Sequence, residues 1–148
     1  MKALADETIH LTLSLIIGTV LAIIFGNWSA ILAAIATGSL IDLDHFIDYL
    51  IYTKFHRFSL KEFLAGDFFN DFGKAYVFFH GFEYGIVFIV FGAIFPDYGW
   101  LFYSLGFSNL LHLFYDTITN KPIWPTYFIT YRIAKNFDHK SFDFKCDK

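Results

Sequence analysis

Four long apolar stretches, separated by short polar breaks, dominate the pattern of this chain. At about 1.5 Å per residue, each stretch is long enough to cross the roughly 30 Å apolar core of a bilayer as an α-helix. The stretches cover approximately residues 8–25, 28–52, 75–95 and 100–119. Gly26-Asn27 and Pro96–Gly99 predict tight turns between successive helices. The pattern therefore predicts an all-α, polytopic membrane protein with four transmembrane helices.

The polar segments predict shorter elements. Ser59 and Glu62 have the capping-box spacing, which predicts a short interfacial helix that ends near Gly66. Pro125 fits the first turn of a last short helix. We expect residues 138–148 to form a disordered tail and residues 1–148 to form a single membrane domain.

The composition agrees with a membrane protein. The chain is 56% hydrophobic, 22% aromatic and only 17% charged, whereas soluble domains average about 25% charged residues. A soluble helical bundle is the alternative, but a core of this size would leave much of the apolar surface exposed. The one cysteine, Cys146, excludes an intrachain disulfide framework. A net charge of −3 argues against a nucleic-acid partner.

The basic residues predict the orientation. With four spans in series, the two tight turns lie on one side of the membrane, and the termini and residues 54–74 lie on the other. All 11 Lys and Arg residues fall on that second side. By the positive-inside rule, the N- and C-termini of this integral membrane protein are cytoplasmic.

A set of ionisable residues interrupts the predicted spans at similar depths, within about 6–15 Å of their cytoplasmic ends. His112 and Asp116 are four residues apart and His80 and Glu83 three apart, so each pair shares a helix face. Buried carboxylates are costly unless they are neutralised, and a divalent cation does that. The alternative is that these groups pair with one another or reach water. The candidate metal ligands are His10, Asp42, Asp44, His45, His80, His112 and Asp116.

Mixed imidazole and carboxylate ligands suit zinc, our first choice, and also Mn²⁺ or Fe²⁺. The pool exceeds what one ion requires, so one or two ions are expected. Metal-assisted hydrolysis is the predicted chemistry, with Glu83 as the general base if it is not a ligand.

Several of these residues also resemble a known family. Asp42-Leu43-Asp44-His45, Ser108-Asn109-Leu110-Leu111-His112 with Asp116, and the early His10 are similar to motifs of the YdjM-type membrane-bound metal-dependent hydrolases. The resemblance runs from His10 to about Arg132. It implies a membrane-bound, metal-dependent hydrolase and does not imply a substrate.

The chain departs from that family at two places. Ile41 stands where the family has proline, and no histidine follows five residues after His56-Arg57, which matches the start of the middle motif. A long insertion after His56-Arg57 would explain this difference, with Phe79-His80-Gly81 in place of the end of that motif.

The predicted substrate is a membrane lipid or other amphiphile that carries an ester. A phosphoester is favoured because Lys54, Arg57 and Lys61 could hold a phosphate at the cytoplasmic mouth, although ordinary flanking charge explains them equally well. The resemblance adds His56 to the candidate substrate-binding residues. Four aromatic residues are expected to guide the tail: Phe55, Phe58, Phe68 and Phe69. A divalent-cation or proton carrier and a structural, partner-binding subunit are the alternatives, and the oligomeric state is unknown.

Overall fold

The computed structural model describes residues 2–66, 68–120 and 125–142. These residues form α-helices and short 3₁₀ turns, with no β-strand among them. The all-α prediction is therefore confirmed. The helices are α1 (Lys2–Phe25), α2 (Ser29–Gly38), α3 (Leu43–Tyr52), α4 (Leu60–Ala65), α5 (Phe68–Phe72), α6 (Phe82–Ile94), α7 (Gly99–Asn120) and α8 (Ile129–Ala134). The 3₁₀ turns are Leu40–Asp42, Pro96–Tyr98 and His139–Phe142.

Helix α7 is the centre of the bundle and packs against α1, α2 and α6. Small residues allow this close approach. A Cβ atom added to Gly106 would lie 2.8 Å from Ile89 Cγ1 and 2.9 Å from the carbonyl oxygen of Gly85. On α1, a Cβ added to Gly18 would lie 2.7 Å from Ile31 Cα of α2. Gly18 therefore faces α2 and lets the two helices approach closely.

The second predicted span is interrupted. Helix α2 ends at Gly38, and the 3₁₀ turn Leu40–Asp42 separates it from α3. A Cβ at Gly38 would clash with the hydroxyl groups of Ser14 and Ser108. The chain therefore passes this point only because glycine has no side chain. The break changes the direction of the chain just before the acidic residues of α3.

The third predicted span is shorter than residues 75–95, because α6 begins only at Phe82. The preceding residues 74–81 form an irregular segment, in which Val77 has φ +32°. His80 is therefore on a loop, and the predicted helix face shared by His80 and Glu83 is wrong. At 13 residues, α6 is about 20 Å long, which is short for a bilayer.

Two helices in the described part of the chain are long and apolar enough to cross a membrane: Ala5–Phe25 and Ser29–Tyr52, the latter counted across its break. Helix α6 is too short, and α7, with 22 residues, is not among the candidates. Four transmembrane helices are thus not confirmed, and nothing in the structure addresses the orientation of the termini. Large apolar side chains are nevertheless exposed on α1, α2 and α6, for example Ile23 (69%), Leu32 (71%) and Ile94 (58%).

The shorter elements agree with the sequence in part. The Ser59 side chain accepts a hydrogen bond from Glu62 N, as the capping box predicts, but Ser59 N donates to Tyr49 Oη rather than to the Glu62 carboxylate. Gly66 ends α4 in the left-handed conformation. Helix α8 begins at Ile129 rather than at Pro125. The start of the expected tail is ordered, because Ala75 N donates to Phe137 O and His139 N donates to Gly73 O. The predicted helix end at Lys121-Pro122 and the tail beyond residue 142 lie outside the described residues.

Candidate metal centre

Three helices and one loop converge on a buried polar cluster near the start of α3. Helix α1 contributes His10, α7 contributes His112 and Asp116, and the loop before α6 contributes His80. The 3₁₀ turn and the start of α3 contribute the acidic residues, with Asp44 only 1% exposed. All seven predicted metal ligands lie in or beside this cluster. Six of them form two groups in which the potential ligand atoms lie within 4.8 Å of one another: His10, His112 and Asp116, and Asp42, His45 and His80.

The first group joins α1 to α7. His10 Nε2 lies 3.2 Å from Asp116 Oδ1, and His112 Nε2 lies 3.2 Å from Asp116 Oδ2. The imidazole rings of His10 and His112 stack with centroids 3.7 Å apart. Asp116 thus presents one carboxylate oxygen to each histidine.

The second group joins α3 to the loop before α6. His80 Nε2 lies 3.0 Å from Asp42 Oδ1. His45 Nδ1 lies 3.6 Å from Asp42 Oδ1 and 3.1 Å from Asp44 Oδ1, without forming a hydrogen bond. Asp42 is 30% exposed, which makes it the most open of the acidic residues in the cluster.

The two groups meet at His80 and His112, whose Nε2 atoms are 3.3 Å apart. His80 Nε2 also lies 3.8 Å from Asp116 Oδ2, and His112 Nε2 lies 3.7 Å from Asp42 Oδ1. Four atoms therefore lie 3.0 to 3.8 Å from neighbours within the same set: the Nε2 atoms of His80 and His112, Asp42 Oδ1 and Asp116 Oδ2. Ligands 2.0–2.1 Å from a tetrahedral ion are about 3.3 Å from each other. The five distances given above among these four atoms suit such an ion.

The hydrogen bonds of the two central histidines indicate how charge is arranged in the cluster. His112 Nδ1 lies 3.0 Å from the carbonyl oxygen of Gly38, which only accepts, so Nδ1 is the protonated nitrogen. His80 Nδ1 lies 3.0 Å from Asp44 Oδ2 and its Nε2 lies 3.0 Å from Asp42 Oδ1, so either nitrogen of this ring can carry the proton. When both rings are neutral and protonated at Nδ1, the two Nε2 lone pairs face each other and two carboxylates. Either additional protons or a metal cation must compensate these converging acceptors.

Asp44 occupies the position of an outer-shell residue. Its Oδ2 accepts hydrogen bonds from His80 Nδ1 and from Phe79 N at 2.8 Å. Such a carboxylate orients a ligating imidazole and fixes its tautomer. We therefore assign Asp44 to the support of His80, whereas the sequence placed it among the ligands.

Two further residues hold the loop that carries His80. Asp48 Oδ2 accepts hydrogen bonds from Tyr76 N at 2.8 Å and Val77 N at 3.1 Å. Arg132 of α8 is buried and donates to the carbonyl oxygens of Tyr76, Val77 and His80 over 2.5–2.7 Å. The anionic Asp48 therefore binds backbone N–H groups of the loop, and the cationic Arg132 binds its backbone carbonyl groups.

A cavity of about 570 Å³ opens beside the cluster. Its polar end includes His10, Asp42, His45, His80 and Asp116. Apolar side chains of α3, α4 and α5 line the rest, including Phe46, Phe63, Leu64, Phe68 and Phe69. The metal cluster is thus reachable from an apolar cleft.

Several predicted site residues lie elsewhere. Glu83 accepts hydrogen bonds from Ile129 N, Thr130 N and Thr130 Oγ1 at 2.8–3.0 Å and does not line the cavity. Lys54, His56 and Arg57 also do not line it, and Arg57 pairs with Glu62 at 2.9 Å. Phe68 and Phe69 do line the cavity, whereas the expected tail guides Phe55 and Phe58 do not. The general base predicted from the sequence therefore caps the first turn of α8.

Sequence reasoning missed two residues near the centre. Glu7 lines the cavity and accepts a hydrogen bond from Ser39 Oγ. Its position one helical turn before His10 was the available signal. Arg132 was counted only as a flanking positive charge, and no local pattern indicates that its side chain is buried.

No protein-family model, no curated protein and no solved structure matches this chain. The family resemblance described above therefore remains an expectation based on short motifs. The geometry of the site is therefore the basis for a proposed function.

Proposed function

We propose that this protein is a membrane-embedded, metal-dependent hydrolase that acts on an amphiphilic ester or phosphoester. The observation that carries the proposal is the convergence of the His80 and His112 Nε2 atoms, 3.3 Å apart, on the carboxylates of Asp42 and Asp116. A divalent cation is the simplest species that neutralises this arrangement. The nitrogen and oxygen donor set suits zinc first, and Mn²⁺ or Fe²⁺ as alternatives.

The membrane location is supported by the two helices that could span a bilayer and by the exposed apolar side chains of α1, α2 and α6. Unpartnered apolar surface of this extent is typical of a protein that contacts lipid or another protein. We propose the four-span arrangement with cytoplasmic termini, in which α6 and α7 lie in the membrane as part of the same bundle.

The proposed ligands are Asp42, His80, His112 and Asp116. A divalent ion held there would supply Lewis acidity, which activates a water molecule and polarises the scissile bond. The His10 ring supports the Asp116 carboxylate at the Oδ1 atom of Asp116. The Asp44 carboxylate supports the His80 ring at the Nδ1 atom of His80. Burial of His112 and His80 excludes bulk water from one side of the centre, and the cavity gives a substrate access from the other.

Glu7 is the proposed proton acceptor. It is a carboxylate on the cavity wall that belongs to neither of the two ligand groups, and its bond with Ser39 orients one of its oxygens. Glu83 has no such position, because both of its oxygens accept hydrogen bonds from the backbone or side chain of Ile129–Thr130. A general base must reach the water that it deprotonates.

The experiment that tests this function uses full-length protein in lipid nanodiscs, purified without chelators and loaded with zinc, manganese or iron. It is incubated with a panel of lipid esters and phosphoesters, with and without a chelator. Chelator-sensitive product is expected from wild type and not from His112→Ala, whereas the exposed control His56→Ala retains activity. If no product forms and vesicles that contain the protein take up divalent cations, the protein is a carrier and the hydrolase proposal is wrong.

A further inference from the structure

The cavity beside the metal centre is acidic as well as apolar. Four carboxylate residues line it: Asp6, Glu7, Asp42 and Asp116. Over the residues that the structure describes, neither lysine nor arginine is part of the lining. Four carboxylates against one divalent cation leave two negative charges around any bound head group.

The basic residues near the site have other partners. Arg57 is engaged with Glu62, and Arg132 donates to backbone carbonyls behind the loop that carries His80. His139 is at the cavity wall, but burial lowers the pKa of this imidazole, so the ring is neutral at pH 7. A phosphate group would therefore meet carboxylates without the cationic donors that normally bind it.

The apolar wall indicates where a hydrocarbon chain would lie. Phe46, Phe63 and Phe69 line the cavity, and the lining residues Leu43 and Leu64 are 58% and 50% exposed. The wall is thus exposed at these two leucines, and the same cavity reaches the residues of the proposed metal centre. An amphiphile can place its chain on this wall with its head group at the centre.

We propose that the substrate is a carboxylic ester of an amphiphile whose head group carries no negative charge. This inference rests on the proposed hydrolase function and replaces the phosphoester expected from the sequence. In the reaction, water adds to the carbonyl carbon and the bond between that carbon and the alcohol oxygen breaks. The alcohol leaves with a proton from water, and the acid is released as its carboxylate with the second proton passing to solvent.

The same charge distribution favours product release. The substrate is neutral or cationic at the carbonyl end, whereas the product is a carboxylate. Asp6 and Glu7 at the cavity wall repel that anion. The acidic lining therefore discriminates between the substrate and its product.

The test measures binding and turnover separately, with metal-loaded full-length protein in nanodiscs. Binding uses three non-hydrolysable decyl compounds in competition with a fluorescent neutral ether lipid: 1-O-decylglycerol, decyltrimethylammonium and decylphosphonate. Turnover uses glyceryl monodecanoate, decanoylcholine and decyl phosphate. We expect the neutral and cationic compounds to bind, and their esters to be hydrolysed, at least about tenfold better than the anionic compounds.

The variant Asp6→Lys should improve decylphosphonate binding by about threefold or more, because it replaces a negative charge at the cavity wall with a positive one. Asp97→Lys, on the exposed turn after α6, is the matched control and should change nothing.

Tighter binding of decylphosphonate than of the other two compounds by wild type would overturn the inference, whatever the turnover shows. Turnover of decyl phosphate alone would overturn it too but leave the hydrolase function intact. Charge-selective binding without turnover of any ester would uphold the selectivity of the cavity and contradict the hydrolase.

Discussion

His80 Nε2 and His112 Nε2 lie 3.3 Å apart, although 32 residues separate them in the chain. One is on the loop before α6 and the other is buried within α7. The Nδ1 atom of each ring lies 3.0 Å from an oxygen atom on the far side, so the two Nε2 atoms are directed at the same point. The proposed metal centre is built around this pair.

The outer-shell role of Asp44 predicts a graded effect. Asp44→Asn should weaken metal affinity by about 10- to 100-fold without abolishing binding, because His80 loses the carboxylate that orients it. Competition with a metal-binding dye measures this affinity. The exposed Asp71→Asn is the control. Complete loss of binding would show that Asp44 is itself a ligand.

Arg132 predicts a link between stability and the site. Arg132→Met should lower the free energy of unfolding by roughly 3 kcal/mol or more, since three carbonyl groups lose a charged donor. It should also weaken metal binding, because the loop that holds His80 is released. Thermal denaturation with and without metal measures both effects, and the exposed Lys135→Met is the control. Unchanged stability in Arg132→Met would contradict the described role of this residue.

The sequence predicted the candidate ligands better than the structural features that position them. His10, His112 and Asp116 could be placed because helix spacing alone puts them at a common depth on inward faces. The close packing at Gly38, where α2 ends, could not be predicted, because it involves the hydroxyl groups of Ser14 and Ser108, which lie on other helices. The all-α fold and the candidate ligands on α1 and α7 follow from local periodicity.

The loop before α6 shows why the remainder could not be predicted. Residues 75–81 are apolar enough to resemble the start of a helix. Their backbone N–H groups are instead bound by Asp44 and Asp48, and their carbonyls by Arg132. These partners are distant in sequence, and long-range contacts override local preference. For the same reason Glu83, which would follow His80 on a helix face, is in fact removed from the cavity.

The two glutamates give opposite predictions. Glu7→Gln should reduce kcat at least about 100-fold and leave the metal bound, because only its proton-accepting capacity is lost. Glu83→Gln should lower the melting temperature and leave kcat within about threefold, since its role is to cap Ile129–Thr130. Steady-state kinetics, metal analysis and thermal denaturation of both variants check this. If Glu83→Gln instead loses activity and Glu7→Gln keeps it, Glu83 is the general base.

The distribution of basic residues predicts the topology. In intact cells that produce the protein, the native Cys146 should be protected from a membrane-impermeant thiol reagent, because the proposed orientation places the C-terminus in the cytoplasm. A cysteine at Asp97, in the exposed turn between α6 and α7, should be labelled. This Asp97→Cys variant is made in a Cys146→Ser background. Labelling of Cys146 and protection of position 97 would reverse the orientation.

The most direct test of the central claim is the metal content of the protein purified without chelators. The four-ligand site predicts roughly one divalent ion per chain in wild type. The double variant His80→Ala/His112→Ala should contain less than about one tenth of that amount, and the exposed control His56→Ala should match wild type. Elemental analysis by mass spectrometry gives both the identity and the stoichiometry. A folded wild-type protein that binds no divalent metal, even after reconstitution, or a double variant that retains the full amount would contradict the account.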